Sequence, residues 1–480
     1  MKNAFPIALC ASYALASCVP GNKKEPLPNI VYILADDLGY GDLSCYGQQR
    51  FSTPNIDRLA HEGMLFTQHY TGSTVSAPSR SCLMTGQHTG HTPIRGNRGW
   101  KPEGQWPLPA DAYTVAEMLK TKGYVTGAFG KWGLGFIETE GDPNKQGFDE
   151  FYGYNCQSLA HNYYPDHLWH NHEKILLNEN DSDKTGAYSA DLIHKAAMDF
   201  LETNKDKPFF LYYPSTIPHA ELFAKDEYME MFRGKFDPEK SYKGVDDGPN
   251  FRLGPYGSQP EAHAAFAAMI KELDDYVGEL LAKLTETGLE KNTIVIFASD
   301  NGPHLEGGAD PDYFNSNGDL RGYKRDLYEG GIRTPMLVRW PDKIKAGSSS
   351  NHISAFWDIM PTLAEITGAE VSEDIDGLSF LPALLGKKQE QHDYLYWEFH
   401  EQGGKTAVRM GNWKAVKLNI NRTPQGETEL YDLSTDIGEN NDLASSNTEI
   451  VKKMDEIMRQ EHTSSEIFPF ASETVETVTK

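Results

Sequence analysis

Residues 29–37 read NIVYILADD, and residues 293–301 read TIVIFASDN. Each stretch is a run of apolar and β-branched side chains that ends in acidic or amide side chains. A run this apolar is typical of a central strand covered on both faces, as in the parallel sheets of α/β proteins. In such sheets, ligands bind beyond the carboxyl ends of the strands. The two stretches therefore predict both the class of fold and the edge of the sheet where a site lies.

Two more runs, VTGAF at 125–129 and FFLYY at 209–213, have the same apolar character. After the second of them, apolar residues at helical spacing predict one amphipathic helix that ends near Gly288. These residues are Phe266, Met269, Ile270, Leu273, Val277, Leu280, Leu281 and Leu284. We therefore predict an α/β fold with a large, mixed, mostly parallel sheet flanked by helices.

The carboxyl-terminal part of the chain has a different pattern, which begins after about Gly368. Short strands such as TAVRMGNWKAVKL at 406–418 and a helix around Ile450 to Arg459 predict a small unit with an antiparallel sheet and a helix. A length of 480 residues also favours two domains over one. We expect a large domain at 28–385 and a smaller α+β domain at 386–480.

The chain is strongly acidic, with 45 Lys and Arg against 69 Asp and Glu and a formal net charge of -24. Such a balance argues against a surface that binds nucleic acids or other polyanions over its whole extent. An anionic substrate must therefore meet a local basic pocket.

The amino terminus has the pattern of an export signal, since residues 1–18 read MKNAFPIALCASYALASC. The apolar run is too short to span a membrane. The segment LASC at 15–18 resembles a bacterial lipobox, whose cysteine becomes the lipidated first residue of the mature protein, and a cleaved signal without a lipid is the alternative. We expect an exported protein whose membrane contact is only a lipid on Cys18. The remaining cysteines are too few for a disulfide framework: Cys45, Cys82 and Cys156.

Four oxygen-bearing side chains follow the two decisive strands: Asp36, Asp37, Asp300 and Asn301. If these strands pack side by side, the carboxylate and amide oxygens form a site for a hard cation. No cluster of His or Cys accompanies them, which favours calcium or magnesium over zinc. Either pair alone also fits a turn or a helix N-cap. Two pairs at equivalent strand ends favour the metal site.

The stretch VSAPSRSCLMTG at 75–86 lies between these strands in the sequence. Pro78 can open a helix, and Ser76 then precedes its positive end, which suits an oxygen nucleophile or an anion. From this stretch alone, an ordinary helix start is the alternative. Lys131 and His219 follow the strands at 125–129 and 209–213, so we expect them at the same edge of the sheet.

The stretch at 75–86 resembles the signature of type I sulfatases, which is Cys or Ser, any residue, Pro, any residue, Arg, and a later Thr-Gly. Further stretches resemble sulfatase motifs in the same order: LADDLGYGD at 34–42, TPNIDRLA at 53–60, GKWGLG at 130–135, SDNGPH at 299–304 and LRGYKRDLYEGGIRTP at 320–335. The resemblance extends from about residue 28 to residue 460. It implies the fold of the alkaline-phosphatase-like superfamily, with 28–385 as the catalytic domain.

By this resemblance, Ser76 is oxidised after translation to formylglycine (3-oxoalanine). A serine at this position implies a radical-SAM maturation enzyme and an anaerobic Gram-negative host, with the protein in the periplasm or at the cell surface. The hydrated aldehyde would attack sulfur, release the alcohol and then expel sulfate by C–O cleavage. One calcium ion would act as Lewis acid and template, held by Asp36, Asp37, Ser76, Asp300 and Asn301.

The resemblance also assigns catalytic roles to charged side chains. Arg80, one helical turn after Ser76, would stabilise the nucleophile and the metal-site carboxylates. Lys131 and Lys324 would bring positive charge to the sulfate oxygens, and His219 would protonate the leaving alcohol. The chain departs from the family at Gly133, where many sulfatases have a second histidine. We expect His304 to replace that histidine.

The segment AHNYYPDHLWHNH at 160–172 predicts an aromatic and polar loop that suits a sugar, with His161, Asp166 and His167 as substrate contacts. Its resemblance to the family favours sulfate esters of galactose or N-acetylgalactosamine. One alternative is a phosphoester or phosphonate hydrolase of the same superfamily, whose sites commonly include an Asp-His pair where this chain has Asp300-Asn301. The other is an inactive lipoprotein that binds sulfated glycans, which the glycine at position 133 permits.

Overall fold

The computed structural model describes residue 1 and residues 26–424, 426–471 and 473. The predicted export signal, including Cys18, lies outside the described residues apart from Met1. Among the described helices, none combines the length and the apolar composition that crossing a bilayer requires.

The large sheet contains the four predicted central strands and adds edge strands to them. Its members are β1 (Asn29–Ala35), β2 (Met64–Tyr70), β3 (Val125–Lys131), β4 (Glu150–Tyr154), β5 (His167–His170), β6 (Glu173–Leu176), β7 (Phe209–Pro214), β8 (Thr293–Ser299), β9 (Arg333–Arg339), β10 (Ser348–Ser350) and β11 (Ser354–Ala355). The order across the sheet is β10-β2-β9-β8-β1-β7-β3-β4-β5-β6, with β11 beside β2. The strands from β8 to β4 in this order are parallel, whereas β9, β5 and β6 are antiparallel to their neighbours. The predicted large, mixed, mostly parallel sheet is confirmed.

Helices cover both faces of this sheet. The helices of the described residues are α1 (Pro54–His61), α2 (Ser76–Thr85), α3 (Val115–Lys120), α4 (Ser189–Asn204), α5 (Asp226–Phe232), α6 (Ala262–Glu286), α7 (Pro311–Phe314), α8 (Glu329–Ile332), α9 (Ile359–Thr367), α10 (Leu381–Leu384) and α11 (Thr448–Gln460). The last of them, α11, packs on the carboxyl-terminal strands instead. Along β1, Val31 and Ile33 join the core under α4 and α6, while Ile30 and Tyr32 join the core under α2, α3 and α9. This alternation buries both faces of β1, which explains why its sequence is apolar throughout.

The helix predicted before Gly288 is confirmed as α6, which extends from Ala262 to Glu286. Its apolar stripe is buried in the core that also contains Val31 and Ile33 of β1. The long helix thus supports the strands whose carboxyl ends carry the predicted site.

A second, antiparallel sheet follows in the carboxyl-terminal part, made of β12 (Leu395–Phe399), β13 (Lys405–Met410), β14 (Trp413–Leu418) and β15 (Thr428–Asp432). One face packs on α11 through residues such as Val408 and Met454. The other face packs on residues around β2 and α2, with Trp397 against Tyr70. The predicted small antiparallel sheet with a late helix is confirmed.

The predicted loop at 160–172 is wrong in part, because His167–His170 form β5 and pair with β4 and β6. Leu168 is fully buried within this strand. Tyr163 and Tyr164 before it are buried in the core rather than presented to solvent. The aromatic residues of this segment pack near the edge of the sheet. The polar residues among them made the segment look like a loop in the sequence.

Candidate active site

The carboxyl ends of β1 and β8 lie side by side, as the sequence predicts. Ala35 is the register partner of Ser299, and the backbone N of Asp300 donates to the carbonyl O of Ala35 at 3.1 Å. Just beyond the end of β1, the backbone N of Asp37 donates to Oδ1 of Asp300 at 3.0 Å. Register between the two strands therefore brings the two acidic pairs together.

Asp37 adopts a left-handed backbone conformation, with φ of +65°. This turn bends the chain at the end of β1, and it is held by Asn301, whose Nδ2 donates to Oδ1 of Asp37 at 2.6 Å. The Oδ1 of Asn301 is buried and has no hydrogen-bond partner among the described residues. An orphaned amide oxygen beside buried carboxylates is an available ligand for a cation.

Ser76 is the first residue of α2 and is 1% exposed. Its Oγ lies 3.3 Å from Oδ1 of Asp36 and 3.3 Å from Nζ of Lys131. Lys131 also donates to Oδ2 of Asp36 at 2.6 Å. The hydroxyl of Ser76 therefore sits at a helix N-terminus between an acid and a base, next to both strand ends.

Arg80 fastens this helix to Asp300 at the end of β8. Its Nε and NH2 donate to Oδ2 of Asp300 at 3.2 and 2.9 Å, and its NH1 donates to the carbonyl O of Lys131 at 2.5 Å. Burial lowers the pKa of Arg80, but Asp300 and Asp36 outweigh burial and hold that pKa above its ordinary value. The guanidinium is fully buried and charged, and it ties three elements of the site together.

Lys324 and His219 complete the opposite side of the pocket. Nζ of Lys324 donates to Oδ2 of Asp37 at 2.8 Å and lies 3.0 Å from Nε2 of His219. Burial lowers the pKa of His219 well below its ordinary value, and Lys324 and Lys131 lower it further. His219 is therefore neutral here, with Lys324 as the charged neighbour.

His304 and His161 both stack on the His219 ring. The ring centroid of His304 is 5.6 Å from that of His219, and the ring centroid of His161 is 4.8 Å from it. Nε2 of His304 lies 3.3 Å from the carbonyl O of Pro218, and Nδ1 of His161 lies 2.8 Å from the carbonyl O of Gly254. The structure thus brings both predicted histidines against His219, each fixed by a backbone carbonyl.

The other two predicted substrate contacts lie elsewhere in the hydrogen-bond network. Nδ1 of His167 is 2.6 Å from Oδ1 of Asp166, and its Nε2 is 2.9 Å from Oε2 of Glu103. Within the described ranges, no hydrogen bond or ion pair joins Asp166 or His167 to the residues around Ser76. Their assignment as substrate contacts stays a prediction.

The pocket balances its charges in a way that accommodates a divalent cation. Three carboxylates (Asp36, Asp37 and Asp300) are paired with three cations (Arg80, Lys131 and Lys324). A bound divalent cation would leave an excess of two positive charges, which favours an anionic group such as a sulfate ester. Ligand atoms of Asp36, Asp37 and His219 lie within 4.8 Å of one another. The orphaned Oδ1 of Asn301 and these oxygens fit a hard divalent cation.

A second cluster, His88, His91 and Asp376, also brings ligand atoms within 4.8 Å. The backbone N of Gly90 donates to Nδ1 of His88 at 3.1 Å, so the ring hydrogen is on Nε2, which lies 3.0 Å from Oε2 of Glu461. A histidine in this tautomer has no lone pair on Nε2 for a metal. The cluster is a hydrogen-bond network that joins the loop after α2 to the carboxyl-terminal segment.

Sequence reasoning missed the residues that follow β4. The run EFYGY at 150–154 is short and contains a glycine, so it did not stand out as a strand. In the structure β4 pairs with β3, which places Asn155 and Gln157 beside the residues that follow Lys131. The signal that could have revealed these residues is the polar side chains of Asn155 and Gln157 just after the largely apolar run at 150–154.

Comparisons with known proteins extend over most of the chain. A family model described as Sulfatase matches residues 28–369, and one described as N-sulphoglucosamine sulphohydrolase, C-terminal, matches residues 321–464. The N-acetylgalactosamine-6-O-sulfatase of Bacteroides thetaiotaomicron is 30% identical over 529 residues, covering 91% of this chain and 93% of the relative. Human arylsulfatase A is 33% identical over 472 residues, covering 87% of this chain and 83% of the relative.

Solved structures extend the similarity to the fold. Ps i-CgsB in complex with k-i-k-neocarrahexaose has a TM-score of 0.76 and 32% identity, covering 94% of this chain and 96% of that chain. The phosphonate monoester hydrolase of Agrobacterium radiobacter has a TM-score of 0.65 at 21% identity, which shows a shared fold alone. The match to the sulfatase model over more than half of the sequence identifies the chain as a member of the sulfatase family, a sulfuric ester hydrolase with the alkaline-phosphatase-like fold.

Proposed function

We propose that this sulfatase removes sulfate from the sugars of sulfated glycans, with galactose or N-acetylgalactosamine sulfates as its preferred substrates, through formylglycine formed at Ser76 and one calcium ion. The observation that carries the proposal is the position of Ser76. Its Oγ lies 3.3 Å from both Asp36 Oδ1 and Lys131 Nζ, at the first residue of a buried helix.

Five residues would hold the calcium ion: Asp36, Asp37, residue 76 after its conversion to formylglycine, Asp300 and Asn301. Support comes from the buried carboxylates at the adjoining ends of β1 and β8 and from the orphaned Oδ1 of Asn301. All of these ligands offer oxygen, which is what calcium prefers. When bound, the ion supplies Lewis-acid polarisation of a sulfate oxygen.

The aldehyde at position 76, once formed, supplies a hydrated nucleophile with a built-in route for releasing sulfate. Asp36 and Lys131 hold this position from two sides. Arg80 keeps α2 at a fixed distance from Asp300 through its fork of donors. The chain's own residues therefore orient the nucleophile before the substrate arrives.

Lys131 and Lys324 would bind the sulfate oxygens, because both ammonium groups face the pocket and are almost fully buried. Negative charge shifts toward the leaving oxygen as the S–O bond breaks, and fixed cations stabilise that shift. His219 and Lys324 would then supply the proton to the leaving alcohol. His304 and His161 both stack on the His219 ring and restrict its position.

The proposed sugar substrate rests on relatives that are named after a sugar or whose structures contain a bound carbohydrate. One is named N-acetylgalactosamine-6-O-sulfatase, and one solved relative contains k-i-k-neocarrahexaose. We further propose a catalytic domain at 28–385 and a smaller domain at 386–480. A radical-SAM enzyme would mature Ser76, and export would leave a lipid on Cys18, in the periplasm or at the surface of an anaerobic Gram-negative bacterium.

The test is sulfate release, measured by ion chromatography, from a panel of sulfated galactose and N-acetylgalactosamine derivatives. The protein is co-produced with a radical-SAM maturase, and Ser76→Ala is the matched control. Release that Ser76→Ala abolishes is the expected result. Turnover of phosphate or phosphonate esters by a protein with unmodified Ser76, without sulfate release, would overturn the proposal. Binding of sulfated glycans without any turnover would support an inactive receptor instead.

A further inference from the structure

Two amide side chains directly after β4 are buried without partners. Asn155 is fully buried, and neither its Oδ1 nor its Nδ2 has a hydrogen-bond partner among the described residues. Gln157 is 7% exposed, and its Nε2 is likewise buried and unpartnered. Leaving a buried amide unpaired is costly, so native structures rarely contain such groups without a reason. Two of them in one turn point to a ligand that the fold is prepared to receive.

The amide of Gln157 lies directly over Gly133, the second residue after Lys131. A Cβ at Gly133 would stand 2.2 Å from Nε2 of Gln157, and the φ of Gly133 is +75°. Glycine alone leaves the space that this amide occupies. The ladder between β3 and β4 continues past the strand ends, since the N of Gly133 donates to the carbonyl O of Asn155 at 3.1 Å. This bond fastens the turn after β4 beside the strand that carries Lys131.

The same turn lies beside the strand end that carries Lys131. The N of Trp132 donates to the carbonyl O of Tyr154 at 2.9 Å, and Nζ of Lys131 is 3.3 Å from Oγ of Ser76. At the other end of the segment, the ring centroid of His161 is 4.8 Å from that of His219. The segment 155–161 therefore runs from the strand end that carries Lys131 to the ring of His219.

We propose that Gln157 is a substrate-binding residue, whose Nε2 donates a hydrogen bond to an oxygen of the sulfate ester. The acceptor is either a sulfate oxygen or a hydroxyl oxygen of the sugar beside it, because an unpaired NH2 group requires an acceptor. Because residue 133 is glycine, no side chain there occupies the space of the Gln157 amide. This inference rests on the proposed function at Ser76 and assigns one further contact to it.

The test compares Gln157→Met with the unaltered enzyme, both fully matured. Methionine preserves the length of the side chain but removes the donor. Two substrates are measured: 4-nitrophenyl sulfate, and the sulfated monosaccharide that the unaltered enzyme hydrolyses fastest. A contact to a sulfate oxygen lowers kcat/KM about 10- to 100-fold for both substrates and weakens inhibition by inorganic sulfate. A contact to a sugar hydroxyl lowers kcat/KM for the monosaccharide alone.

Gln146→Met is the matched control, because Gln146 is equally buried but its Nε2 donates to the carbonyl O of Pro109 and of Glu140. We expect Gln146→Met to lower the melting temperature and leave kcat/KM unchanged. We expect Gln157→Met to leave the melting temperature unchanged, because no internal hydrogen bond is lost.

Gly133→Ala provides a second line, since its Cβ would displace the Gln157 amide. Its kinetic loss should not add to that of Gln157→Met in the double variant. Unchanged kcat/KM for both substrates in Gln157→Met would overturn this inference while leaving the proposed function intact. No sulfate release by the unaltered, matured enzyme would instead overturn the proposed function, and this inference with it.

Discussion

Nζ of Lys324 lies 3.0 Å from Nε2 of His219. Nδ1 of His219 is 2.5 Å from the carbonyl O of Ala220, so Nδ1 carries the ring hydrogen and Nε2 accepts from Lys324. His219 is neutral in this arrangement and Lys324 holds the proton. The proton for a leaving alkoxide near Nε2 therefore lies in the hydrogen bond between Lys324 and His219. Both residues, and not His219 alone, take part in protonating the alkoxide.

This pairing predicts a leaving-group dependence. We expect Lys324→Met and His219→Asn each to lower kcat about 10²- to 10⁴-fold for sulfated sugars, whose alcohols need a proton. For 4-nitrophenyl sulfate, whose phenolate leaves without a proton, the loss should be much smaller in His219→Asn, and smaller but still present in Lys324→Met, because Lys324 also contacts the sulfate oxygens. The ratio of the two kcat values within one preparation is the measurement, because partial misfolding cancels from it. An equal loss for both substrates would contradict a role in protonation.

Arg80 is expected to be structural as well as electrostatic. Arg80→Ala removes three hydrogen bonds and leaves the buried carboxylate of Asp300 without its partner. Breaking a buried ion pair in this way costs about 3–5 kcal/mol of the free energy of unfolding. Arg80→Lys keeps the charge but loses the fork, so its melting temperature should lie between those of Arg80→Ala and the unaltered protein. Melting curves that coincide for all three proteins would show that the pair contributes nothing.

Calcium should stabilise the folded protein, since a ligand that binds only the native state raises its apparent stability with concentration. We expect EDTA to lower the melting temperature, and calcium to restore it in the unaltered protein. Asn301→Leu, which removes the orphaned oxygen, should weaken the response and shift it to higher calcium concentrations. Magnesium serves as the comparison ion. A melting temperature that no divalent cation changes would argue against the metal site.

The network of His91 and Asp376 predicts a pH-dependent contribution to stability. The hydrogen bond that Nδ1 of His91 donates to Oδ1 of Asp376, at 2.9 Å, raises the pKa of His91 above its ordinary value. A raised folded-state pKa means that the stabilisation is complete below the unfolded pKa and is lost as pH rises through the folded pKa. Asp376→Asn should therefore have a lower melting temperature than the unaltered protein. The difference should be largest at about pH 6 and should narrow toward alkaline pH. A gap that stays constant from about pH 6 to pH 9 would contradict the pairing.

The neighbouring Glu461 sets the acidic limit of the same network. Its hydrogen bond with His88 lowers the pKa of Glu461 to about 2. Its stabilisation is therefore present above the unfolded pKa and is lost as pH falls toward about 2. Glu461→Gln should lose this acid-side dependence, as melting curves between about pH 5 and pH 3 would show.

The central strands and the acidic residues that follow them could be predicted because each depends on local sequence. A buried strand must be apolar along its whole length, and the residue that ends it must be polar if it faces a ligand, so Asp36 and Asp300 stood out in sequence. Their mutual approach then follows from strand pairing, with Ala35 opposite Ser299.

The contacts of the substrate pocket could not be predicted in this way. Gln157 meets Gly133 only because β4 pairs with β3, and no local pattern fixes which strands become neighbours. His304 was expected from its place after Asn301, and its stacking on His219 depends on the path of a distant loop. Strands near the edge of the sheet, such as β5, are short and half polar, so the segment at 167–170 looked like a loop.

The most direct test of the account relates the chemical state of residue 76 to catalysis. Preparations with graded amounts of the maturase are digested, and the fraction of Ser76 converted to formylglycine is measured by mass spectrometry alongside the initial rate of sulfate release. The account predicts a rate proportional to the converted fraction, with none at zero conversion and none for Ser76→Ala. Sulfate release by protein whose residue 76 is entirely serine would contradict it.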